Sequence, residues 1–171
     1  LAVHKPGRLK PGALIGVIAP ASSVQSSALQ AGIAALRAEG FEVELGASVY
    51  EQKGYLAGNA DKRAADLDSF FRRDDIDAIF CARGGFGSIQ TLAYLTQALK
   101  NYPKIFVGYS DVTILLNWLY QFCGMITFHA PMVAEDIARG LTEEGKRFLW
   151  GVLSGKQNGW SLCLDETVRP G

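Results

Sequence analysis

The sequence carries no excess of charge of either sign. Seventeen basic residues are matched by seventeen acidic ones, so no field toward nucleic acid or an anionic membrane surface is implied, and neither is expected as a partner. No apolar run reaches the ~18 residues that a membrane-spanning helix needs. Leu1–Lys10 has basic residues with no apolar stretch behind them, which does not read as a secretory signal. Cysteine is sparse: Cys81, Cys123 and Cys163 are far apart and set in apolar surroundings. An odd count without C-x-x-C or a nearby histidine speaks against a disulfide framework and against a zinc site. Buried thiols in a reducing, cytoplasmic compartment is the expectation, with no metal and no cofactor. Internal repeats and low-complexity segments are missing, and so are a Rossmann G-x-G-x-x-G and the Lys-Ser/Thr of a P-loop.

What is present is a globular chain. Of 171 residues, 49% are hydrophobic and 20% charged, enough for one domain with a proper core. Ala13–Ala19 reads as a buried strand, and Ser22-Ser23 offers caps to a helix from about Ser26 to Glu39 with Leu29, Ile33 and Leu36 on one face. Phe41–Leu45 alternates as a second strand. Gly46–Asn59 is irregular and long enough to be functional or to cover something. A helix from Asp61 to Arg72 presents Leu67, Phe70 and Phe71, and Ile76–Ala82 is a third strand. Strands alternating with helices at this spacing predict βαβ units and a parallel sheet. Further along come a short helix (Ile89–Thr96), strands at Ile105–Val107 and Met125–His129, a helix over Val112–Phe122, a helix over Thr142–Leu153 with Phe148, Leu149, Val152 and Leu153 inward, and a strand at Trp160–Leu164.

Two loops carry the chemistry. Arg83-Gly84-Gly85-Phe86-Gly87-Ser88 follows the third strand, and three glycines in four positions let the main chain approach a ligand with its N–H groups turned outward. A phosphate cradle, an oxyanion site and a tight turn with a helix cap all remain open. Gly108-Tyr109-Ser110-Asp111 follows the fourth strand and opens a helix. In α/β hydrolases such a turn lifts a serine clear of the sheet and aims the first N–H groups of the helix at the same spot. The competing reading is that Ser110 and Asp111 simply cap that helix. Ligands on open α/β sheets bind beyond the carboxyl ends of the strands, so both loops belong on one edge. His129, ending the fifth strand, is a possible base for Ser110 or a hydrogen-bonded support beside Pro131; His4 reads as incidental.

Taken in order, Pro11-Gly12, Gly54-Tyr55-Leu56-Ala57-Gly58 before Arg63, Arg83-Gly84-Gly85-Phe86-Gly87, Pro103-Lys104, Gly108–Thr113 and Phe128-His129-Ala130-Pro131-Met132 resemble the muramoyl-tetrapeptide LD-carboxypeptidases. The resemblance is colinear and covers nearly the whole chain; Phe86 stands where a tyrosine is usual and Ala130 where a glycine is. It implies a doubly wound, mainly parallel α/β domain (flavodoxin-like, class I glutamine amidotransferase-like) that is the N-terminal part of a two-domain enzyme. It also implies a metal-free cytoplasmic serine peptidase, a homodimer, that releases terminal D-alanine from murein tetrapeptides during cell-wall recycling. On that resemblance Ser110 is the nucleophile and the N–H groups of Gly85 and Asp111 form the oxyanion hole. Arg83, with Gly84 beside it toward the substrate, either holds a substrate carboxylate as a bidentate pair or anchors its own glycine loop. The family takes its triad histidine and glutamate from a C-terminal domain, and nothing here matches them. Residues 1–164 are therefore expected to form the nucleophile-bearing domain and 165–171 to start a linker. The family also includes microcin C self-immunity proteins, which gives a second expectation. A non-catalytic phosphate- or nucleotide-binding domain using the Arg83–Ser88 loop is a third.

Overall fold

A computed structural model describes residues 3–157 and Gly159. The strand expected at Trp160–Leu164, Cys163 and the linker after it lie outside the described residues. Five strands, β1 (Leu14–Ile18), β2 (Glu42–Leu45), β3 (Ala78–Cys81), β4 (Ile105–Gly108) and β5 (Phe128–His129), pair in parallel in the order β2-β1-β3-β4-β5. This is the flavodoxin-like winding. The helices are α1 (Ser26–Ala38), α2 (Ala60–Arg72), the single turn α3 (Ser88–Thr91), α4 (Thr113–Cys123) and α5 (Glu143–Leu153).

Side chains alternate across a strand, so each strand feeds two cores. Val17, Phe80 and Val107 go to one face, where Leu29, Ile33 and Leu36 of α1 and Leu149 and Leu153 of α5 cover them. Ile79, Cys81 and Phe106 go to the other, beneath Leu67, Phe70 and Phe71 of α2 and Leu115 and Leu119 of α4. The sheet is thus covered on both faces, as the uninterrupted apolar runs of β1, β3 and β4 require. Each fully buried Leu or Phe contributes about 1.5–3 kcal/mol.

Three expectations need correction. The fifth strand is only two residues long, and Met125 instead bridges in parallel to His4, whose N–H donates to the Gly124 carbonyl at 2.7 Å. His4 is therefore a main-chain tie of the N-terminal segment to the sheet edge. The helix after the glycine loop is one α-turn followed by 3-10 turns at Leu92–Tyr94 and Gln97–Asn101. In α5, Leu149 and Leu153 are buried four residues apart, while Phe148, rotated about 100° from Leu149, is 41% exposed and Val152 half-buried.

The 46–59 loop does cover something. Tyr55 accepts at its carbonyl from Ser23 N–H (2.9 Å), and Ala57 N–H donates to the Ala21 carbonyl (3.0 Å). The loop is fastened from below by Asp66, which accepts from Ala47 N–H, Ser48 N–H and Ser48 Oγ. It lies along the carboxyl edge of the sheet, and the Tyr55 ring stacks at 6.4 Å on Phe86 in the glycine loop.

Candidate active site

Ser110 follows β4 by one extended residue (Tyr109, φ −154°) and begins a 3-10 turn, Ser110–Val112, that runs straight into α4. Its φ is +60°, and among the described residues it is the one non-glycine residue with positive φ. That conformation costs an L-residue ~1–2 kcal/mol, and strain of this kind collects where a turn presents a reactive group. Ser110 is exposed. The helix-cap reading is not what the side chains do: neither Ser110 nor Asp111 accepts from an N–H of the helix it begins.

Asp111 reaches the other loop instead, its Oδ2 accepting from Ser88 N–H at 2.9 Å. The carboxylate that could have capped the helix after Ser110 thus serves the start of α3. The two loops therefore meet, as their places after adjacent strands β3 and β4 require. Gly84 comes closest. A Cβ there would stand 3.1 Å from Ser110 Cβ, 3.3 Å from Ser110 Oγ and 3.4 Å from Asp111 N. Gly85 has φ +103°, and a Cβ on it would overlap the Ser22 hydroxyl. Among the described residues, no protein acceptor takes the N–H of Gly85 or of Asp111.

The glycine loop is held from several sides. Buried Ser22, expected to cap α1, accepts through Oγ from Phe86 N–H at 3.2 Å, and its own N–H donates to the Gly84 carbonyl at 3.2 Å. α1 starts after Gln25 with no side-chain cap. Arg63 is only 1% exposed and donates through Nη1 to the carbonyls of Pro20 (2.5 Å) and Gly87 (2.9 Å), and through Nη2 to Gln90 Oε1 (2.8 Å). Burial pulls its pKa below the ordinary arginine value, and the Asp111 carboxylate partly opposes that shift. Arg63 had a signal in the sequence: it sits four and seven residues before Leu67 and Phe70, on the apolar stripe of α2, where a charge has to have a purpose.

Arg83 does not anchor its own loop. Its Nη1 donates to the Ser23 carbonyl at 3.2 Å and its Nε lies 3.5 Å from Glu135, which also pairs with Arg139. Glu135 and Asp136 belong to a π-helical turn, Val133–Ile137. Asp136 accepts from the Tyr109 hydroxyl at 3.4 Å and from Met132 N–H at 3.3 Å. Burial first, and then the Asp136 carboxylate, raise the Tyr109 pKa. Neither acidic residue was singled out from sequence. His129, at the end of β5 beside Gly108, sets its ring against Tyr109 at 5.8 Å, and no hydrogen bond joins it to Ser110. Among the described residues no group of three or more His, Cys, Asp or Glu side chains could hold a metal, and no helix is long and apolar enough to cross a membrane.

The chain as a whole has relatives among known proteins. Residues 15–130 match the family model for the LD-carboxypeptidase N-terminal domain. A probable murein peptide carboxypeptidase of Bacillus subtilis (strain 168) is 44% identical over 135 residues, 78% of this chain and 42% of that protein. The murein tetrapeptide carboxypeptidase of Pseudomonas aeruginosa is 34% identical over 122 residues, covering 69% and 39%. Among solved structures, an MccF-like protein from Bacillus anthracis superposes with a TM-score of 0.84 at 29% identity, covering 89% of this chain and 47% of that one. The chain spans less than half the length of each of these relatives.

Proposed function

The chain belongs to the LD-carboxypeptidase family, and from that premise we propose that it is the nucleophile-bearing N-terminal half of a serine carboxypeptidase that releases the terminal D-alanine of murein tetrapeptides. The observation that carries the reading is Ser110, exposed at φ +60° with Gly84 packed bare against its hydroxyl. In the reaction Ser110 Oγ attacks the carbonyl carbon of the terminal peptide bond and passes its proton to a general base. The oxygen of the tetrahedral intermediate accepts from the N–H groups of Gly85 and Asp111, donors held in place before the charge develops. Collapse breaks the C–N bond, the base returns the proton to the leaving amine, and water then hydrolyses the acyl-enzyme.

Gly84, lacking a side chain, leaves room for the substrate carbonyl. Arg83 supplies positive charge beside it for the substrate carboxylate, shared with Glu135. The base and its orienting carboxylate are assigned to the part of the enzyme that follows these residues, as the family resemblance implies. The same reading makes the intact enzyme a cytoplasmic homodimer of cell-wall recycling.

The test compares the intact enzyme with its Ser110→Ala variant, following D-alanine release from a murein tetrapeptide by mass spectrometry. The variant is expected to lose activity by ~10³-fold or more at unchanged stability. Retention of activity would sink the proposal and leave a non-catalytic binding domain. The 171 residues alone are expected to be nearly inert, because a serine without its base is a weak nucleophile; robust turnover by them would promote His129 to base. The likeness to the MccF-like protein supports a second reading, a peptidase acting on peptide–nucleotide antibiotics. Offering an aminoacyl-sulfamoyl adenosine beside the tetrapeptide separates the two.

A further inference from the structure

Two donors on different loops make an oxyanion site only if their spacing is fixed. The loop from Gly84 to Ser88 is tied to the body of the domain by Ser22 at Phe86 N–H and by Arg63 at the Gly87 carbonyl. Neither tie reaches the turn that carries Ser110. Among the described residues a single hydrogen bond joins the two: Ser88 N–H to Asp111 Oδ2, at 2.9 Å across 23 residues of sequence. Asp111 therefore belongs to both halves. Its N–H is one of the unengaged donors, and its side chain holds the segment that begins with the other, three residues before Ser88. Behind the Gly87–Ser88 peptide lies the buried Arg63 guanidinium, whose Nη1 donates to the Gly87 carbonyl at 2.9 Å and which has no carboxylate in ion-pair contact among the described residues.

We propose that the Asp111 side chain is a positioning residue that sets the distance between the Gly85 and Asp111 donors, with Arg63 as the backstop against which the glycine loop is pulled. The proposal rests on the hydrolytic reading above. What matters is the reach of the acceptor: a side-chain oxygen two bonds beyond Cβ meets Ser88 N–H, and a longer one displaces the loop. Misplacement of catalytic groups by about 1 Å can cost ~10²-fold in rate.

The experiment measures kcat, KM and Tm for D-alanine release by the intact enzyme with Asp111→Asn, Asp111→Glu, Asp111→Ala and Ser110→Ala. Asn keeps an oxygen at the right reach without the charge; Glu keeps the charge at the wrong reach. Positioning predicts that Asp111→Asn retains kcat within ~10-fold, while Asp111→Glu and Asp111→Ala lose ~10²-fold, with KM within ~3-fold of wild type in every variant. The opposite order, with Glu active and Asn impaired, would overturn the proposal and make the carboxylate an electrostatic group. So would equal activity in Asn, Glu and wild type. The Asn–Glu comparison decides the matter even if Asp111→Ala does not fold. If Ser110→Ala stays active, the hydrolytic reading fails on its own; if it is dead and the Asn–Glu order is reversed, only the positioning role fails.

Discussion

Gly84→Ala should abolish catalysis while leaving the fold nearly untouched. The added methyl would stand 3.1 Å from Ser110 Cβ, 3.3 Å from Oγ and 3.4 Å from Asp111 N. Those distances are tight but not impossible, and a shift of a few tenths of an ångström relieves them. Gly84 is not among the glycines with positive φ, so alanine incurs no backbone strain there. Restricting the unfolded chain offsets the crowding by about 0.4–1 kcal/mol, so the net stability change should stay within about 1 kcal/mol, or ~2–4 °C in Tm. Catalysis has no such tolerance. A substrate carbonyl must come within ~3 Å of both Oγ and the Asp111 N–H, which is the space the methyl would take. Losing one oxyanion donor alone costs ~10²–10³-fold, and here the approach of the carbonyl carbon is blocked as well. The expected loss in kcat/KM is therefore ~10³-fold or more, read on the intact enzyme with a murein tetrapeptide beside a thermal melt. A Gly84→Ala enzyme with kcat/KM near wild type would refute the reasoning, because it would mean that the reaction does not occur in the space between Gly84, Ser110 and Asp111. Gly85→Ala makes the contrast: φ +103° and overlap with Ser22 should lower stability itself by ~1–2 kcal/mol.

Replacing the nucleophile should separate strain from chemistry. Ser110→Ala keeps the φ +60° strain and Ser110→Gly releases it, so the glycine variant should be ~0.5–1 kcal/mol more stable after the entropy of glycine is counted; a glycine variant that melts no higher than the alanine one would remove the strain argument. Burial pushes the thiol pKa of Cys81, and to a lesser depth that of Cys123, above the ordinary cysteine range. Peptide mapping after treatment with a thiol reagent at pH 8 should find both unlabelled until the protein is unfolded, and labelling of native Cys81 at the rate of a free thiol would contradict the packing described.

The layers and the functional edge were readable from local pattern. Strand and helix periodicities are written in residues two, three and four apart, so β1, β3, β4, α1 and α2 were legible, and with them the rule that the loops after β3 and β4 share one end of the sheet. Ser110 was legible for the same reason, since strand, turn and helix meet there within a dozen residues. Which polar group answers which emerged once the strands were in place. Asp111 caps a helix 23 residues upstream, Arg63 grips a carbonyl 24 residues downstream, and Arg83 turns to a carbonyl 60 residues back. Those pairings follow from strand order and from the angle at which each loop leaves the sheet. A hydrogen bond reads distance in space, whereas the periodic pattern records distance only along the chain.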